Sequence, residues 1–389
     1  MEYFSGFVNG LKVPWNYGIK RRKRKGRFEK INLLKYIGKM LEQKKMSKKS
    51  WWLFLGFSLV FSGCSVAGKP DGGLYKSTDG GTTFSQKTKA GETATLANQA
   101  VLALEIDPQN SQVIYLGTDQ LGILRSADGG ENWAIDSGGY NTVTAVAVSR
   151  QSSDVIYFAG KKGNRGKVFK SINGGGEWVE IYTEKSDGTI VTALSLDEKD
   201  DQKILMGNSG GGIFKSEDGG KTWGNLFWSK SGISKIIRDP FQAGTFFFGT
   251  LSSGAWITEN SGDSFAEIVK ADAINNLAVD PGKEGRIFLS NKKGLSVSDD
   301  RGKTWQIMKT LTKPEEINSR GLAVDRTNGR IFYSSGKTLY QSSDEGKTWS
   351  TTQFNITRSM DVIIPDTKDR NNILVGVGRA KGQFNLFPF

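Results

Sequence analysis

Groups able to do chemistry are scarce in this chain, and the scarcity narrows the choices. Its 389 residues contain no His and one Cys, Cys64. Without His, a Ser-His-Asp triad, a Cys-His pair or a His-ligated metal cannot be assembled, and one Cys allows no internal disulfide. Carboxylates remain. Asp119 sits in Tyr115-Leu116-Gly117-Thr118-Asp119-Gln120-Leu121-Gly122. Inverting glycoside hydrolysis needs a second carboxylate roughly 6.5–9.5 Å away; no other loop offers an evident partner, so Asp119 reads as a turn residue. The run Ser209-Gly210-Gly211-Gly212 leads into a strand rather than a helix and so lacks the setting of a phosphate-binding loop. No metal and no cofactor is expected.

The elements that would position any site come from one octapeptide written seven times. The copies start at Ser77, Ser126, Ser171, Ser216, Thr258, Ser298 and Ser342 and end at Phe84, Trp133, Trp178, Trp223, Phe265, Trp305 and Trp349. Their starts lie 49, 45, 45, 42, 40 and 44 residues apart, a period of stacked supersecondary units. The pattern is Ser-x-Asp-x-Gly-x-Thr-Trp, with the third position occupied by Asp79, Asp128, Asn173, Asp218, Asn260, Asp300 and Asp344. Ser and Asp side chains close tight turns by bonding nearby backbone amides. The fifth position is Gly in every copy, as a backbone of positive φ demands. The aromatic that follows anchors the turn to a core.

Between the octapeptides lie short apolar runs. An innermost run A (for example Val101 to Asp107, Val191 to Asp197, Ile274 to Asp280 and Ser319 to Asp325) is followed by a turn, a run B (Val113 to Thr118, Thr245 to Thr250) and a run C leading into the octapeptide; run D carries the aromatic. Runs of this length separated by turn residues are strands, and four-stranded units repeated radially form a propeller. The predicted fold is all-β, a seven-bladed β-propeller over residues 73–389. The chain enters at runs C and D and leaves at A and B, so Leu74 to Lys76 and the strand after Phe84 are expected to complete the blade begun by Met360 to Gly378.

The octapeptide resembles the BNR or Asp-box motif of sialidases, some glucanases, sortilin-like receptors and the photosystem II stability/assembly factors. The resemblance covers about residues 72 to 378. In those families the box joins the two outer strands of a blade, away from any active centre, which implies a structural role for the seven Asp and Asn residues named above. The closest overall resemblance is to the photosystem II stability/assembly factors, which are non-enzymatic, bind a membrane-protein subunit and carry a basic patch on one face. A sialidase would need an Arg-Ile-Pro motif ahead of the first box, and none occurs. The stretch around Asp119 is similar to a loop bearing a catalytic Asp in xyloglucan-cleaving glucanases, but those enzymes pair Asp residues across two propellers and one is present here.

Charge is unevenly placed. The net +13 lies almost wholly in residues 1–50, which hold 15 Lys and Arg against 3 acids and leave 38 against 37 for the rest. The apolar run Trp51 to Phe61 is too short to span a bilayer, where about 20 residues are usual, but suits the h-region of a signal peptide. Phe61-Ser62-Gly63-Cys64 resembles a bacterial lipobox, with Phe where Leu is usual. Residues 1–45 then read as a basic leader or a mis-called start, 46–64 as a lipoprotein-type signal peptide with lipidation at Cys64, and 65–72 as a linker. The mature protein is expected outside the cytoplasm, on the outer face of the cytoplasmic membrane, in a periplasm or at a cell surface.

In an up-and-down blade the A–B and C–D connections share one face and the B–C and D–A connections the other. The B–C loops hold Lys161, Lys162, Arg165, Lys167, Lys292, Lys293, Lys337, Arg379 and Lys381 against Asp119 alone, whereas the A–B turns hold 12 acids against 6 bases and the boxes 12 against 4. A basic face toward anionic lipid or a membrane partner is therefore expected. The function read from the sequence is a monomeric, membrane-tethered, non-enzymatic propeller that binds a membrane protein or envelope component, with no nucleic-acid partner; the alternative is a glycoside hydrolase or glycan-binding module.

Overall fold

A computed structural model describes residues 71–136, 139–313 and 320–379. Cys64 and Lys381 fall outside the described residues. Seven four-stranded antiparallel sheets follow one another, with the strands of each in the order A-B-C-D from the axis outward. The chain opens with β1 (Gly73–Ser77) and β2 (Ser85–Lys87), then a small hairpin, β3 (Lys89–Ala90) with β4 (Ala94–Thr95). The first complete blade is β5 (Val101–Ile106), β6 (Ile114–Thr118), β7 (Ile123–Ser126) and β8 (Ala134–Ile135). The next two are β9 (Thr142–Val148), β10 (Ile156–Lys162), β11 (Arg165–Ser171), β12 (Val179–Thr183), and β13 (Val191–Leu196), β14 (Ile204–Asn208), β15 (Gly212–Ser216), β16 (Gly224–Trp228). Then come β17 (Ile233–Arg238), β18 (Phe246–Thr250), β19 (Ala255–Thr258), β20 (Ala266–Val269), and β21 (Asn276–Val279), β22 (Ile287–Asn291), β23 (Gly294–Ser298), β24 (Gln306–Ile307). The last are β25 (Leu322–Val324), β26 (Ile331–Ser335), β27 (Thr338–Ser342), β28 (Ser350–Gln353), and β29 (Met360–Pro365) with β30 (Ile373–Val377).

The seventh sheet runs β2-β1-β30-β29. Its join is the antiparallel pairing of β1 with β30, in register from Gly73 opposite Val377 to Ser77 opposite Ile373. This ladder holds the two ends of the propeller, and Asp71, which accepts from Thr357 and Arg358, adds to it. The hairpin β3–β4, invisible to the apolar-run reading because it holds four residues, lies in the D–A connection after the first box and accounts for the long 49-residue spacing there. Within the expected inner runs Ile274 to Asp280 and Ser319 to Asp325, the strands are the shorter β21 and β25; Ser319 lies outside the described residues.

Burial follows strand position. Every residue of β6, β14, β18, β22 and β30 is buried, because a B strand has a neighbouring blade against each of its faces. That explains why they read as unbroken apolar runs, such as Phe246-Phe247-Phe248, rather than as alternating ones. The D strands β16, β24 and β28 are mostly exposed. Small residues late in the B strands let the blades close up. A Cβ on Gly117, Gly207, Gly249 or Gly376 would lie 2.6–2.7 Å from a methyl of Val143, Ile233, Ile274 or Val101 at the start of the next inner strand.

The seven octapeptides fold alike. Ser216 Oγ donates to Asp218 Oδ1 at 2.8 Å and accepts the Gly220 amide at 2.8 Å, while Asp218 Oδ1 accepts the Thr222 amide at 2.9 Å. The same Ser/Thr to Asp/Asn bond joins Ser77 to Asp79, Ser126 to Asp128, Ser171 to Asn173, Thr258 to Asn260, Ser298 to Asp300 and Ser342 to Asp344, at 2.7–2.9 Å. The fourth and fifth positions both have positive φ, but differently. The fourth has φ of 60–75° and accepts Ser261, Arg301 and Glu345 as well as Gly; the fifth lies at 84–101°, outside the left-handed well open to other residues, and is always Gly. A second constraint acts there. A Cβ on Gly220, Gly262 or Gly302 would meet Ile181, Leu226 or Ile268, outer-strand side chains of the preceding blade, at 2.3–2.8 Å. Trp305 and Trp349 donate their indole N–H to Ile268 O and Lys309 O, also from the preceding unit, at 3.1 and 3.0 Å. Each turn is thus a joint between blades as well as a staple within one.

Candidate functional site

The B–C loop cations are placed on one face together with the D–A loops, and most have partners there. Arg165 pairs with Asp187 at 2.7 Å and Lys167 with Glu180 at 2.7 Å. Lys292 and Lys293 lie 3.5 and 3.9 Å from the buried carboxylate of Asp272, and Arg379 Nε lies 3.7 Å from Asp119. The Lys162 ammonium sits 5.0 Å over the ring of Tyr140. Lys161 is half-buried and Lys337 exposed, with no carboxylate in ion-pair range among the described residues. B–C loops counted in isolation therefore overstate the positive charge, because carboxylates of the outer strand and the D–A loop, Glu180, Asp187 and Asp272, are laid beside them.

Asp119 is committed. Its Oδ1 accepts the Ala100 amide at 2.9 Å, its Oδ2 faces Arg379, and its side chain is 8 % exposed. The opposite face is laced in the same way. Asp107, Asp239, Asp280, Asp325 and Asp366, which close inner strands, are buried and accept backbone amides two residues on. Arg301 joins Asp239 and Glu284, Arg330 joins Asp325, and Arg286 lies within 4 Å of Asp280, Asp299 and Glu345.

Sequence reading treated the A runs as apolar and missed what they carry at the axis. All seven inner strands line two adjoining cavities of about 360 and 320 Å3 on the ring axis. Glu105 of β5 and Lys235 of β17 line both, so they mark the waist between them. The larger cavity opens among the A–B turns, where Arg150 Nε and Arg326 Nη2 converge on the same oxygen of Glu198 at 3.3 and 2.6 Å. Water reaches these three side chains, each about one third exposed. The smaller cavity lies toward the B–C face and is lined by Thr144, Thr192, Ser234, Asn276, Arg320 and Asp361. The available signal was a single charge inside an apolar run: Glu105 in Val-Leu-Ala-Leu-Glu-Ile, and Lys235 in Ile-Ser-Lys-Ile-Ile-Arg.

Electrostatics single out the waist. Glu105 makes no hydrogen bond or ion pair with a described residue, and enclosure by protein pushes its carboxyl up to about 7, against the pull of Arg150, Lys235 and Arg326. The Lys235 ammonium is likewise pushed down by desolvation, although channel water reaches it and makes that desolvation partial. Arg150 is lowered by burial and next by the like charge of Arg326.

These features define a seven-bladed β-propeller with an axial, charge-lined channel. No protein-family profile matches the sequence, and no curated protein matches it. Solved structures do match, in fold. The GH74 xyloglucanase of Xanthomonas campestris aligns with a TM-score of 0.63 at 18 % identity over 72 % of this chain and 51 % of its own, so this chain spans about half of that enzyme. YCF48 from Cyanidioschyzon merolae aligns with a TM-score of 0.57 at 14 % identity, over 72 % of this chain and 95 % of its own. YCF48 bound to D1 peptide aligns with a TM-score of 0.55 at 18 % identity, over 72 % and 94 %.

Proposed function

We propose that this chain is an exported propeller, tethered to a membrane through Cys64, that binds a protein partner and performs no chemistry on it. The observation that carries the reading is the commitment of Asp119: the one carboxylate the sequence offered for hydrolysis is held by the Ala100 amide and Arg379. The structural likeness to YCF48, which has been solved with a bound peptide, supports a partner of protein nature, and its chain is matched almost end to end. The partner surface is the B–C face, where Lys161 and Lys337 offer charge for an acidic segment or anionic headgroups. The linker of residues 65–72 extends to at most ~29 Å and reaches β1 at that face, so a lipid on Cys64 would keep the face near the bilayer. A membrane complex under assembly is the partner class that fits such placement.

Crosslinking and recovery from membranes, comparing the full chain with Cys64→Ser, tests the tether and the partner together. The expected result is one or a few envelope proteins captured only by the lipidated form; identical capture by both forms would refute the tether. Charge reversal at Lys161, Lys162 and Arg165 is expected to weaken that capture in a salt-dependent way, and unchanged capture would remove the basic face from the reading.

Glycoside hydrolysis is the second reading, supported by the likeness to the xyloglucanase. A xyloglucan-hydrolysis assay decides it. Turnover abolished by Asp119→Asn would replace the binding role with catalysis.

A further inference from the structure

We infer that the A–B half of the axial channel is a binding site for a small organic carboxylate with a short apolar body. The site lies on the opposite side of the ring from the proposed partner face and does not depend on it. Three cations, Arg150, Arg326 and Lys235, face two carboxylates, Glu105 and Glu198, in a cavity of about 360 Å3. Each of these five side chains comes from a different blade, so the convergence exists only when the ring is closed.

The donors are under-used. Glu198 accepts an N–H from Arg326 and stands in ion-pair range of Arg150 on the same oxygen, which leaves the other N–H groups of two planar forks that line the cavity without a protein partner among the described residues. The Lys235 side chain makes no hydrogen bond or ion pair with a described residue; channel water reaches its ammonium, and a carboxylate would replace that water with a charge-assisted partner. Burial lowers Arg150 first, and repulsion by the like charge of Arg326 across the mouth lowers it further. An anion between them and Lys235 would relieve that repulsion and satisfy the open donors, with the two-oxygen geometry that guanidinium forks match. The walls beyond carry partly exposed apolar side chains, Val146, Leu194, Ile237, Val279 and Ile364, which would cover an alkyl body but offer nothing to a bare inorganic ion.

Glu105 sets the sign of the pH response. The charged groups facing it are Arg150 and Arg326 at the A–B mouth and Lys235 across the waist, with Glu198 held by the two arginines. Protonated below about 7, Glu105 adds no negative charge to the site; ionised above that, it competes with the ligand for Lys235. Binding is therefore tighter at pH 6 than at pH 8.

The test is titration of the full chain with hexanoate, with inorganic phosphate and with a short peptide bearing a free C-terminus, read by calorimetry at pH 6 and pH 8. Saturable binding of hexanoate is expected, weakened about tenfold or more by Lys235→Met, as loss of a charge-assisted partner implies. Glu105→Gln is expected to bind more tightly at pH 8 and to lose the pH dependence, a gain that misfolding would not produce. Binding of the peptide but not of hexanoate would place the carboxylate on a chain end and overturn the free-ligand assignment. An equal response to phosphate would overturn the apolar body, and no saturable response to any of the three, or hexanoate binding unchanged in Lys235→Met and Glu105→Gln, would overturn the site.

Discussion

The rim and the axis of the ring treat a carboxylate in opposite ways. At the rim, Asp79, Asp128, Asp218, Asp300 and Asp344 stand in water or nearly so, yet each is held down to about 2; the neighbouring Ser or Thr hydroxyls, the Asn132 side chain of the Asp128 turn and the turn amides stabilise the charged form against what little burial there is. At the axis, Glu105 lies among three cations and is nonetheless pushed up to about 7, because enclosure outweighs their attraction and no hydrogen bond helps. Proximity to positive charge is therefore a poor guide to acidity here. What decides it is whether the charged form receives hydrogen bonds, and the rim supplies those within eight residues of chain.

The contrast can be broken hardest at the ring's join. Cutting the chain before Ile373 removes β30, and with it the ladder that holds β1 against β29. Axis and rim should be lost together, with no cooperative thermal transition by circular dichroism; a cut protein that melts as sharply and as high as the intact chain would show that the ladder is dispensable. A smaller effect is expected at one joint. Gly220→Ala places a Cβ 2.3 Å from Ile181 Cδ1 at a φ of 93°, and should cost about 1–3 kcal/mol in urea unfolding. Gly219→Ala, at φ 71° beside the movable ends of Gln202 and Lys170, should cost less; the reverse order would refute the distinction drawn between the two positions. Ser216→Ala removes the acceptor of the buried Gly220 amide and is expected to cost about 1–3 kcal/mol.

pH separates the two regions more gently. The rim Asp residues have folded values below the ordinary 3.8, so they contribute stability that is present above about pH 4 and fades as pH falls through about 2. Glu105 has a folded value above its ordinary 4.5, so its contribution runs the other way: full below about 4.5 and lost as pH rises through about 7. Stability in urea unfolding from pH 2 to 8 should rise on the acid side and decline between about 4.5 and 7, and Glu105→Gln should flatten that decline alone. An unchanged neutral limb in Glu105→Gln would detach that decline from the axis.

The same contrast marks how far sequence reading reaches. The box turns were readable in outline, since the Ser to Asp spacing, the obligatory Gly and the aromatic all act over neighbours in the chain, but the amides closest to Ser216 Oγ and Asp218 Oδ1 lie four residues on rather than one or two. Blade count and the pairing of first with last strands followed from their order. The small β3–β4 hairpin was missed because its strands are two residues long. Glu105 and Lys235 were passed over because each is a charge set inside an apolar run, and nothing local distinguishes such a charge from a solvated one; Arg150, Arg326 and Glu198 entered only the charge count of the A–B turns, where nothing local shows that they meet at the axis. The B–C cations were read as a free basic patch because Asp187, Asp272 and Glu180 approach them only after the blades are formed.

Sequence by itself determined a ring of seven box-jointed blades, since the forces that make a turn, a strand and a repeat act across a few residues and repeat with the chain. Only the closed tertiary structure decided which charges are spent and which remain available. Electrostatic energy depends on distance and on exclusion of water, and both are set by residues from opposite sides of the ring that no local pattern brings together.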